Sequence, residues 1–467
     1  MKTKTFTMVL AAGTALAAAA EFQAGFGRVD ITPPIGTPLA GSFHRRISNG
    51  VLEPLEANAV AFSDGTNRAV VLSLDVINLR GYYDLYRQGV AKATGLPVEA
   101  IFLACTHTHT GPIVGSAPYG RQFETFETAS VYEKSLEGLI ASAAQLALGD
   151  LAPATLFFAR GEAKGISFIR RYRMKDGSCH MNPRAGDPDI VGPLGVPDEE
   201  VQLLRIDRKD KPDIALVNFQ CHPCTIGGWK ISPDWPCVLR ATVERCLDDV
   251  KCIFVNGAEG DSNHIAIDPD HPTRHLAPGG KTYVHMGRAV AGVAIGLWDV
   301  CQPLPAGRVN YGIARARIKA NRGTPEQLAK AEEIMKLRRA GRYDDIPGTS
   351  LERPAIAAEA GRIVNLKDGP DAFEMPLSAV SIGGSVAFTG FPGEPFTAYG
   401  VAMKTRSPFA LTIPACIVNG NYGYLPEAKA LREGSYEVRG SLFTDELERA
   451  MVDGHLGQLE RLYMERQ

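Results

Sequence analysis

Short apolar runs alternate along the chain with segments that have the pattern of helices. Residues 59–62 and 69–75 are apolar runs of strand length. Residues 82–93 and the Ala- and Leu-rich residues 132–148 predict helices. Because strands and helices alternate, the sequence predicts an α/β fold with mixed central β-sheets flanked by helices.

The alternation continues in the second half of the chain. The runs 216–220 and 252–256 predict two buried strands, and residues 238–247 predict a helix between them, in the order of a βαβ unit. Apolar residues on both sides of Gly383-Gly384 predict a hairpin. The last predicted element is a helix over 444–465.

The segment 307–369 differs from its surroundings because it is polar and basic. Thr324-Pro325-Glu326 predicts a helix start, with Thr as N-cap and Pro in the first turn, and the helix runs towards Arg339. A solvated helix on the outside of the fold is one interpretation, and a lid or insertion is the other. Since neither repeats nor linkers interrupt the pattern, we expect residues 21–467 to form a single domain.

The first 20 residues have the features of an export signal. Lys2 and Lys4 precede an uncharged stretch over 7–20, and Ala18-Ala19-Ala20 suits a cleavage site. We therefore expect residues 1–20 to be a signal peptide and the protein to be secreted or periplasmic. An uncleaved anchor or an apolar first helix is the alternative. No later stretch is long and apolar enough to cross a membrane.

Composition narrows the classes of protein. Of the 467 residues, 45% are hydrophobic and 22% charged, which is typical of a folded globular chain. The formal net charge of -2, without a dense basic stripe, argues against a nucleic-acid partner. The nine cysteines are an odd number, so at least one thiol stays free or pairs between chains. Cys221-His222-Pro223-Cys224 has the spacing of a redox CxxC motif, which leaves a disulfide oxidoreductase as one hypothesis.

The segment Thr106-His107-Thr108-His109-Thr110-Gly111-Pro112 follows an apolar run directly. If the strand continued, His107 and His109 would point to the same face, where they could share a metal or a substrate. Alternatively, one or both histidines cap a turn at Gly111-Pro112.

Polar groups able to bind a metal recur where predicted strands end. Catalytic metal sites take three or four ligands from His, Cys, Asp, Glu or occasionally Tyr, gathered from several strands. Besides residues 106–112, such segments are Gln220-Cys221-His222-Pro223, Phe391-Pro392-Gly393-Glu394-Pro395-Phe396, Asn419-Gly420-Asn421-Tyr422-Gly423-Tyr424 and the glycine-rich loop 256–264. Their repetition predicts a metal site at the strand ends.

In the order and spacing of these segments the chain resembles the neutral ceramidases and their wider superfamily of zinc-dependent amidases. The resemblance runs through nearly all of residues 21–467, and its motifs are Gly27-Arg28-Val29-Asp30-Ile31-Thr32, residues 106–112, His222, the loop 256–262, Pro392-Gly393-Glu394, Gly423-Tyr424 and Ser435-Tyr436-Glu437. It implies the catalytic domain of the family without its immunoglobulin-like C-terminal domain.

The resemblance also implies roles for individual residues. One zinc ion per chain would be bound by four ligands, His107, His222, Glu394 and Tyr424. His109 would contact the substrate or the attacking water, and Tyr436 and Arg170 would be catalytic, with Arg171 as the alternative to Arg170. Asp75 is a weak candidate for orienting a histidine ligand, and a buried structural Asp is the alternative.

These expectations define a function. Zinc lowers the pKa of water and polarises a carbonyl group, so the chain is expected to be a zinc-dependent hydrolase of an amide C–N bond. Its substrate would be a small N-acyl compound, ceramide-like or smaller. The loops after His222 and around Ser262 depart from the family pattern, which weakens the case for ceramide itself. Alternatives are a zinc esterase or lactonase and a non-catalytic metal-binding protein.

Overall fold

The computed structural model of the chain describes residues 21–42, 44–115, 127–276, 280–348 and 352–466. The strands of this part are β1 Gln23–Asp30, β2 Pro38–Leu39, β3 Arg46–Ile47, β4 Gly50–Val51, β5 Glu56–Ser63, β6 Arg68–Leu74, β7 Ile101–Cys105, β8 Ala152–Glu162, β9 Phe168–Ile169, β10 Arg171–Met174, β11 Cys179–Met181, β12 Ile190–Pro193, β13 Glu200–Arg208, β14 Asp213–Phe219, β15 Lys230–Ile231, β16 Val250–Asn256, β17 Ser262–Asn263, β18 Gln302–Leu304, β19 Val309–Lys319, β20 Ala372–Ile382, β21 Val386–Gly390, β22 Glu394–Pro395, β23 Leu411–Ala415 and β24 Tyr424–Leu425.

The α-helices of the same part lie mostly between strands of the two main sheets. They are α1 Tyr83–Thr94, α2 Glu127–Gly149, α3 Trp235–Cys246, α4 Thr282–Leu297, α5 Pro325–Arg339, α6 Arg353–Leu366, α7 Thr397–Arg406, α8 Ala428–Glu433, α9 Tyr436–Gly440 and α10 Glu446–Met464. None of the helices in the described ranges combines the length and apolar character that a membrane span requires.

The large sheet has nine strands, in the order β16-β14-β13-β8-β1-β5-β6-β7, with β18 paired to β8. The pairs β6–β7 and β14–β16 at its two ends are parallel, and the pairs between them are antiparallel. The two ends meet, because Ser73 Oγ donates to the Phe254 carbonyl at 2.6 Å and Asn256 Nδ2 donates to the Thr106 carbonyl at 3.0 Å. The loops after β7, β14 and β16 are therefore neighbours.

A second sheet of four strands, β19-β20-β21-β23, packs against the first. The two sheets share one apolar core, in which the Phe388 ring lies 5.9 Å from that of Phe62 and 6.0 Å from that of Phe102. The loops that follow β21 and β23 consequently lie next to those of the large sheet.

Helix α2 approaches the large sheet closely. A Cβ atom at Gly25 would lie 2.1 Å from the Ala147 carbonyl oxygen, and one at Gly27 would lie 2.2 Å from that of Ala143. Only glycine allows the helix backbone this near to β1.

The α/β class and the predicted elements are confirmed. The βαβ unit is β14-α3-β16 with parallel strands, and the predicted hairpin is β20-β21. Helix α5 begins after Thr324, whose side chain accepts from the Gln327 amide in a capping box. In the segment 307–369, the first part is strand β19, and α5 and α6 pack together around a small apolar cluster of their own.

Candidate metal centre

Each of three histidines has its Nδ1 atom beside a main-chain carbonyl oxygen. Nδ1 of His107 lies 2.9 Å from the Ile77 oxygen, and Nδ1 of His109 lies 3.1 Å from that of Gly41. Nδ1 of His222 faces the carbonyl oxygens of Glu259 and Ser262 at 2.9 and 3.0 Å. Because a carbonyl oxygen only accepts, Nδ1 carries the proton in each neutral ring and Nε2 keeps its lone pair.

The loop after β7 brings His107 and His109 together without the alternation of a continued strand. The strand ends at Cys105, and His107 has a positive φ of 73°. The two side chains therefore do not follow strand alternation. Their rings are nevertheless 5.0 Å apart, and the His222 ring lies 5.0 Å from that of His107.

Glu394 completes the cluster from the second sheet. It begins β22, which pairs in parallel with β24 and places Glu394 opposite Tyr424. Its Oε2 atom lies 3.4 Å from Nε2 of both His107 and His222, is buried, and accepts no hydrogen bond within the described residues. When the two rings are neutral, their Nε2 lone pairs face this carboxylate oxygen.

The donor set fits a metal ion. With bonds of about 2.0 to 2.1 Å, two ligand atoms of a tetrahedral zinc are about 3.4 Å apart. Both nitrogen–oxygen distances of 3.4 Å agree with this spacing. The ring nitrogens of His107, His109 and His222 also lie within 4.8 Å of one another. A cation would satisfy the unpaired Glu394 oxygen and the two imidazole lone pairs together.

Burial and neighbouring charges shift the titration of this cluster. Burial acts to raise the pKa of Glu394. His107 and His222 lower it by more than burial raises it, so the pKa of Glu394 lies well below its ordinary range. Burial lowers the pKa of His109 well below its usual value, and the other two histidines add to the effect. Burial opposes protonation of His222, yet Glu259 and Glu394 raise its pKa to about 9. The surroundings of His222 and Glu394 therefore favour a positive charge next to the Glu394 carboxylate.

Two tyrosines and Arg170 lie on the other side of the cluster. The Tyr424 ring is 6.5 Å from that of His222 and 5.7 Å from that of Tyr436. The Arg170 guanidinium lies 5.3 Å from the centre of the Tyr424 ring, donates to the Glu437 carboxylate at 2.8 Å and donates to the Gly260 carbonyl at 2.6 Å. Burial raises the pKa of Tyr424, and Glu394 raises it further.

A cavity of about 1050 Å³ opens onto the cluster. His107, His109, Glu394, Tyr424 and Tyr436 line it, together with parts of α5 and α6. His222 and Arg170 are not among its lining residues and lie behind this surface. The arrangement leaves room for a substrate in front of the histidines and Glu394.

Similarity to solved structures extends over 95% of the chain. Neutral ceramidase from Pseudomonas aeruginosa matches with a TM-score of 0.69 and 17% sequence identity, and 75% of that protein is covered. The chain has the neutral ceramidase fold. A ceramidase complexed with C2 matches with a TM-score of 0.68 and 17% identity over 95% of this chain and 76% of that one. Comparisons with protein-family models and with curated protein sequences give no match.

Within the neutral ceramidase fold, Arg170 and Arg171 have different surroundings. Arg171 lies away from the histidine cluster, bonds the carboxylates of Glu433 and Glu437, and stacks on the Phe396 ring. Arg170 shares Glu437 with it but also lies 3.5 Å from Nε2 of His222. These contacts favour Arg170 over Arg171 as the arginine beside the candidate metal centre.

The partners of Asp75 favour a structural role. Its carboxylate accepts from Arg240 at 2.6 Å and from the Glu56 amide at 3.0 Å, and among the described residues it forms no hydrogen bond or ion pair with the three histidines. The acceptor behind His107 is instead the carbonyl of Ile77, two residues further along the chain.

The CxxC cysteines lack the features of a redox pair. All nine cysteines are free thiols. Burial raises the pKa of Cys221 well above its ordinary value and that of Cys224 to about 12. Since the thiolate is the reactive form, these surroundings disfavour disulfide exchange at neutral pH. Of the two residues between them, His222 belongs to the histidine cluster.

Glu259 is a site residue that the sequence analysis did not single out. It is fully buried, and its carboxylate contacts Nδ1 of His222, on the opposite side of the ring from Glu394. A carboxylate behind a histidine ligand orients the ring and increases its basicity. The sequence feature that could have identified Glu259 is its position in the glycine-rich loop after β16. Strand β16 pairs in parallel with β14, the strand that leads to His222.

Proposed function

We propose that this protein is a zinc-dependent hydrolase that cleaves the amide C–N bond of an N-acyl compound. One zinc ion would be held by His107, His222, Glu394 and Tyr424. The observation that carries the proposal is the buried Glu394 oxygen, which lies 3.4 Å from two imidazole nitrogens and accepts no hydrogen bond among the described residues. The names of the similar structures support an amide substrate, since a ceramide is an N-acyl compound.

Bound zinc would supply activation of water and polarisation of the scissile carbonyl. His109 lines the cavity, and its Nε2 atom is buried without a hydrogen-bond partner among the described residues. We assign this nitrogen to accept a proton from the attacking water and return it to the leaving amine. The lowered pKa of His109 keeps the ring neutral before the reaction, as a proton acceptor requires.

The tyrosines and Arg170 would act on the opposite side of the substrate. Tyr436 lines the cavity, so its hydroxyl would donate to the oxyanion of the tetrahedral intermediate. Arg170 is held by Glu437 and the Gly260 carbonyl behind Tyr424. From this position it would stabilise negative charge on the phenol of Tyr424 and keep both tyrosine rings in place.

The proposal is tested by metal analysis together with hydrolysis assays. We expect the purified protein to contain close to one zinc per chain, to lose hydrolysis of N-acyl amides with a chelator, and to regain it with zinc. His107→Ala should lose most of the zinc and the activity, whereas His180→Ala, at an exposed position, should retain both. Retention of both zinc and hydrolysis by His107→Ala would refute the proposal. Matched N-acyl amides and esters measure the preference between the two bonds.

Export belongs to the same proposal. The predicted signal peptide, residues 1–20, lies outside the described residues and remains a prediction, as does the single domain over 21–467. We propose that the protein acts outside the cytoplasm, and N-terminal sequencing of the exported protein would test this. An N-terminus at Met1 in the exported protein would refute cleavage after Ala20.

A further inference from the structure

The cavity in front of the metal centre is rich in arginine. Seven arginines and four carboxylates are among its described lining residues. Glu394 is one of those carboxylates and belongs to the proposed metal centre, so arginines outnumber the remaining carboxylates among the lining residues. The chain as a whole has a formal net charge of -2. The residues that line the cavity therefore carry more positive than negative charge, unlike the chain as a whole.

Several of these arginines have no anionic partner. In the ranges that the structure describes, the guanidinium groups of Arg315, Arg338 and Arg339 form no hydrogen bond or ion pair. Arg315 comes from β19, and the other two come from the last turn of α5. The Arg338 guanidinium reaches across to α6, since a Cβ at Gly361 would lie 3.9 Å from its Nη1 atom. These groups are available to a ligand.

Arg362 on α6 differs from these arginines because its guanidinium is buried and bonded to the main chain. It is only 6% exposed, and its guanidinium donates to two main-chain carbonyls, those of Asn321 at 2.9 Å and Arg439 at 3.1 Å. The nearby Glu359 pairs with Arg439 at 3.7 Å. Carbonyl oxygens do not neutralise a buried charge, which is costly without a counter-ion. An anion in the cavity would supply one.

Two of the arginines that line the cavity, Arg362 and Arg439, are close to Tyr436, a proposed catalytic residue. Arg439 lies three residues after Tyr436 on α9, about 5 Å along the helix axis. Because Arg362 bonds the Arg439 carbonyl, both arginines are fixed to the helix that carries Tyr436. Arg315, Arg338 and Arg339 line the same cavity as His107, Glu394 and Tyr436, so one substrate in that cavity can contact both groups.

We infer that the substrate is an N-acyl amide that carries an oxyanion group, a carboxylate or a phosphate, which the arginines of β19, α5 and α6 bind. This inference rests on the proposed function and narrows its substrate class. Guanidinium groups bind such oxygens by charge-assisted and often bidentate hydrogen bonds. A neutral amide of the same length would leave these arginines without a counter-ion.

Substrate pairs that share the amide and its hydrocarbon chain and differ in the charge of the polar group test the inference on the zinc-loaded protein. The pairs are N-lauroylglycine with N-lauroylglycinamide, N-lauroyl phosphoethanolamine with N-lauroylethanolamine, and the mono-N-butylamide of suberic acid with its methyl ester. We expect kcat/KM to be at least about tenfold higher for the anionic member of one or more pairs, mainly through KM. Active protein that prefers no anionic member of any pair would overturn the inference.

The variant Arg338→Gln/Arg339→Gln should reduce that preference at least about fivefold and leave kcat/KM for the neutral amide within about twofold. The control Lys330→Gln/Lys336→Gln removes the same charge from α5 at exposed positions outside the cavity lining and should keep the preference. If both double variants reduce the preference equally, net charge rather than the cavity is responsible and the inference fails.

A binding measurement separates this inference from the proposed function. In 4-oxopentadecanoate a CH₂ replaces the amide NH of N-lauroylglycine, so it is not hydrolysed, and 4-oxopentadecanamide is its neutral counterpart. Calorimetry should show tighter binding of the anion by at least about tenfold, reduced in Arg338→Gln/Arg339→Gln. Anion preference without any amide hydrolysis would refute the proposed function alone, and equal binding of both ketones would refute the inference alone.

Discussion

At the scale of single residues, the histidines of the metal centre differ in their exposure to the cavity and in what lies behind each ring. His107 and His222 face Glu394 at equal distances, whereas Nε2 of His109 has no hydrogen-bond partner among the described residues. His109→Ala should therefore lower kcat by about 10² to 10⁴ while the zinc content stays near that of the parent protein. His107→Ala should lower both. Metal analysis beside the kinetics checks this, and loss of zinc from His109→Ala would make His109 a ligand instead.

Glu259 provides a second prediction for a single residue. Its buried carboxylate contacts Nδ1 of His222, and Glu259 does not line the cavity. Removing such a partner weakens metal binding by about 10- to 100-fold. We expect Glu259→Gln to lower zinc affinity by this factor, measured by competition with a chelator of known affinity. Recovery of activity at saturating zinc would identify a positioning role, and unchanged affinity would contradict it.

The recurrence of polar groups at strand ends, together with the resemblance to the neutral ceramidases, singled out much of the cluster but did not specify what surrounds it. His107, His109, His222, Glu394 and Tyr424 meet because each follows a strand whose end lies at one edge of the fold. Glu259 and the carbonyls behind the histidines depend on loop paths that no local pattern specifies. For the same reason the sequence left open whether the strand continues through His107; in the structure the strand ends at Cys105, and a positive φ at His107 accompanies the approach of the same two rings.

At the scale of elements, the short pair β22–β24 holds Glu394, the proposed acidic ligand, opposite Tyr424. Gly260 packs against this pair: its amide donates to the Pro395 carbonyl at 2.8 Å, and a Cβ there would lie 2.4 Å from the Glu394 carbonyl oxygen. Since this neighbour is backbone, Gly260→Ala must displace either the loop or β22. We expect zinc affinity to fall at least about tenfold, measured with the same chelator competition.

The matched control for this element is Gly292→Ala in α4. A Cβ at Gly292 meets no atom within 4 Å, so the substitution should leave zinc affinity unchanged. Alanine in a helix interior is favoured over glycine by about 0.5 to 1 kcal/mol, so the control should be at least as stable as the parent. Equal zinc affinities in both variants would show that β22 tolerates the displacement.

Elements with strong local signals could be predicted, and contacts distant in sequence could not. Helix α5 was predicted from its N-cap and proline, and the β20–β21 hairpin from its paired glycines. The closure of the large sheet, in which Asn256 bonds the Thr106 carbonyl across 150 positions, has no local signature. The segment 307–369 shows the same division: the start of α5 was predicted, but not that α5 and α6 line the cavity.

At the scale of the whole molecule, the proposed metal ligands come from both sheets. His107 and His222 follow strands of the large sheet, whereas Glu394 and Tyr424 follow strands of the second. A zinc ion held by all four would therefore link parts of the chain that separate on unfolding. Ligands that bind only the folded state stabilise it in proportion to the logarithm of their concentration.

This linkage predicts a measurable shift in thermal stability. Zinc at 1,000 times its Kd stabilises the folded state by about 4 kcal/mol, and a chain of this size has an unfolding entropy of about 0.9 kcal/mol/K. Chelation should thus lower Tm by roughly 4 °C, and added zinc should restore it. His107→Ala should have a Tm that responds to neither treatment, while His180→Ala should behave like the parent protein. A zinc-dependent Tm in His107→Ala would place the stabilising ion away from this cluster.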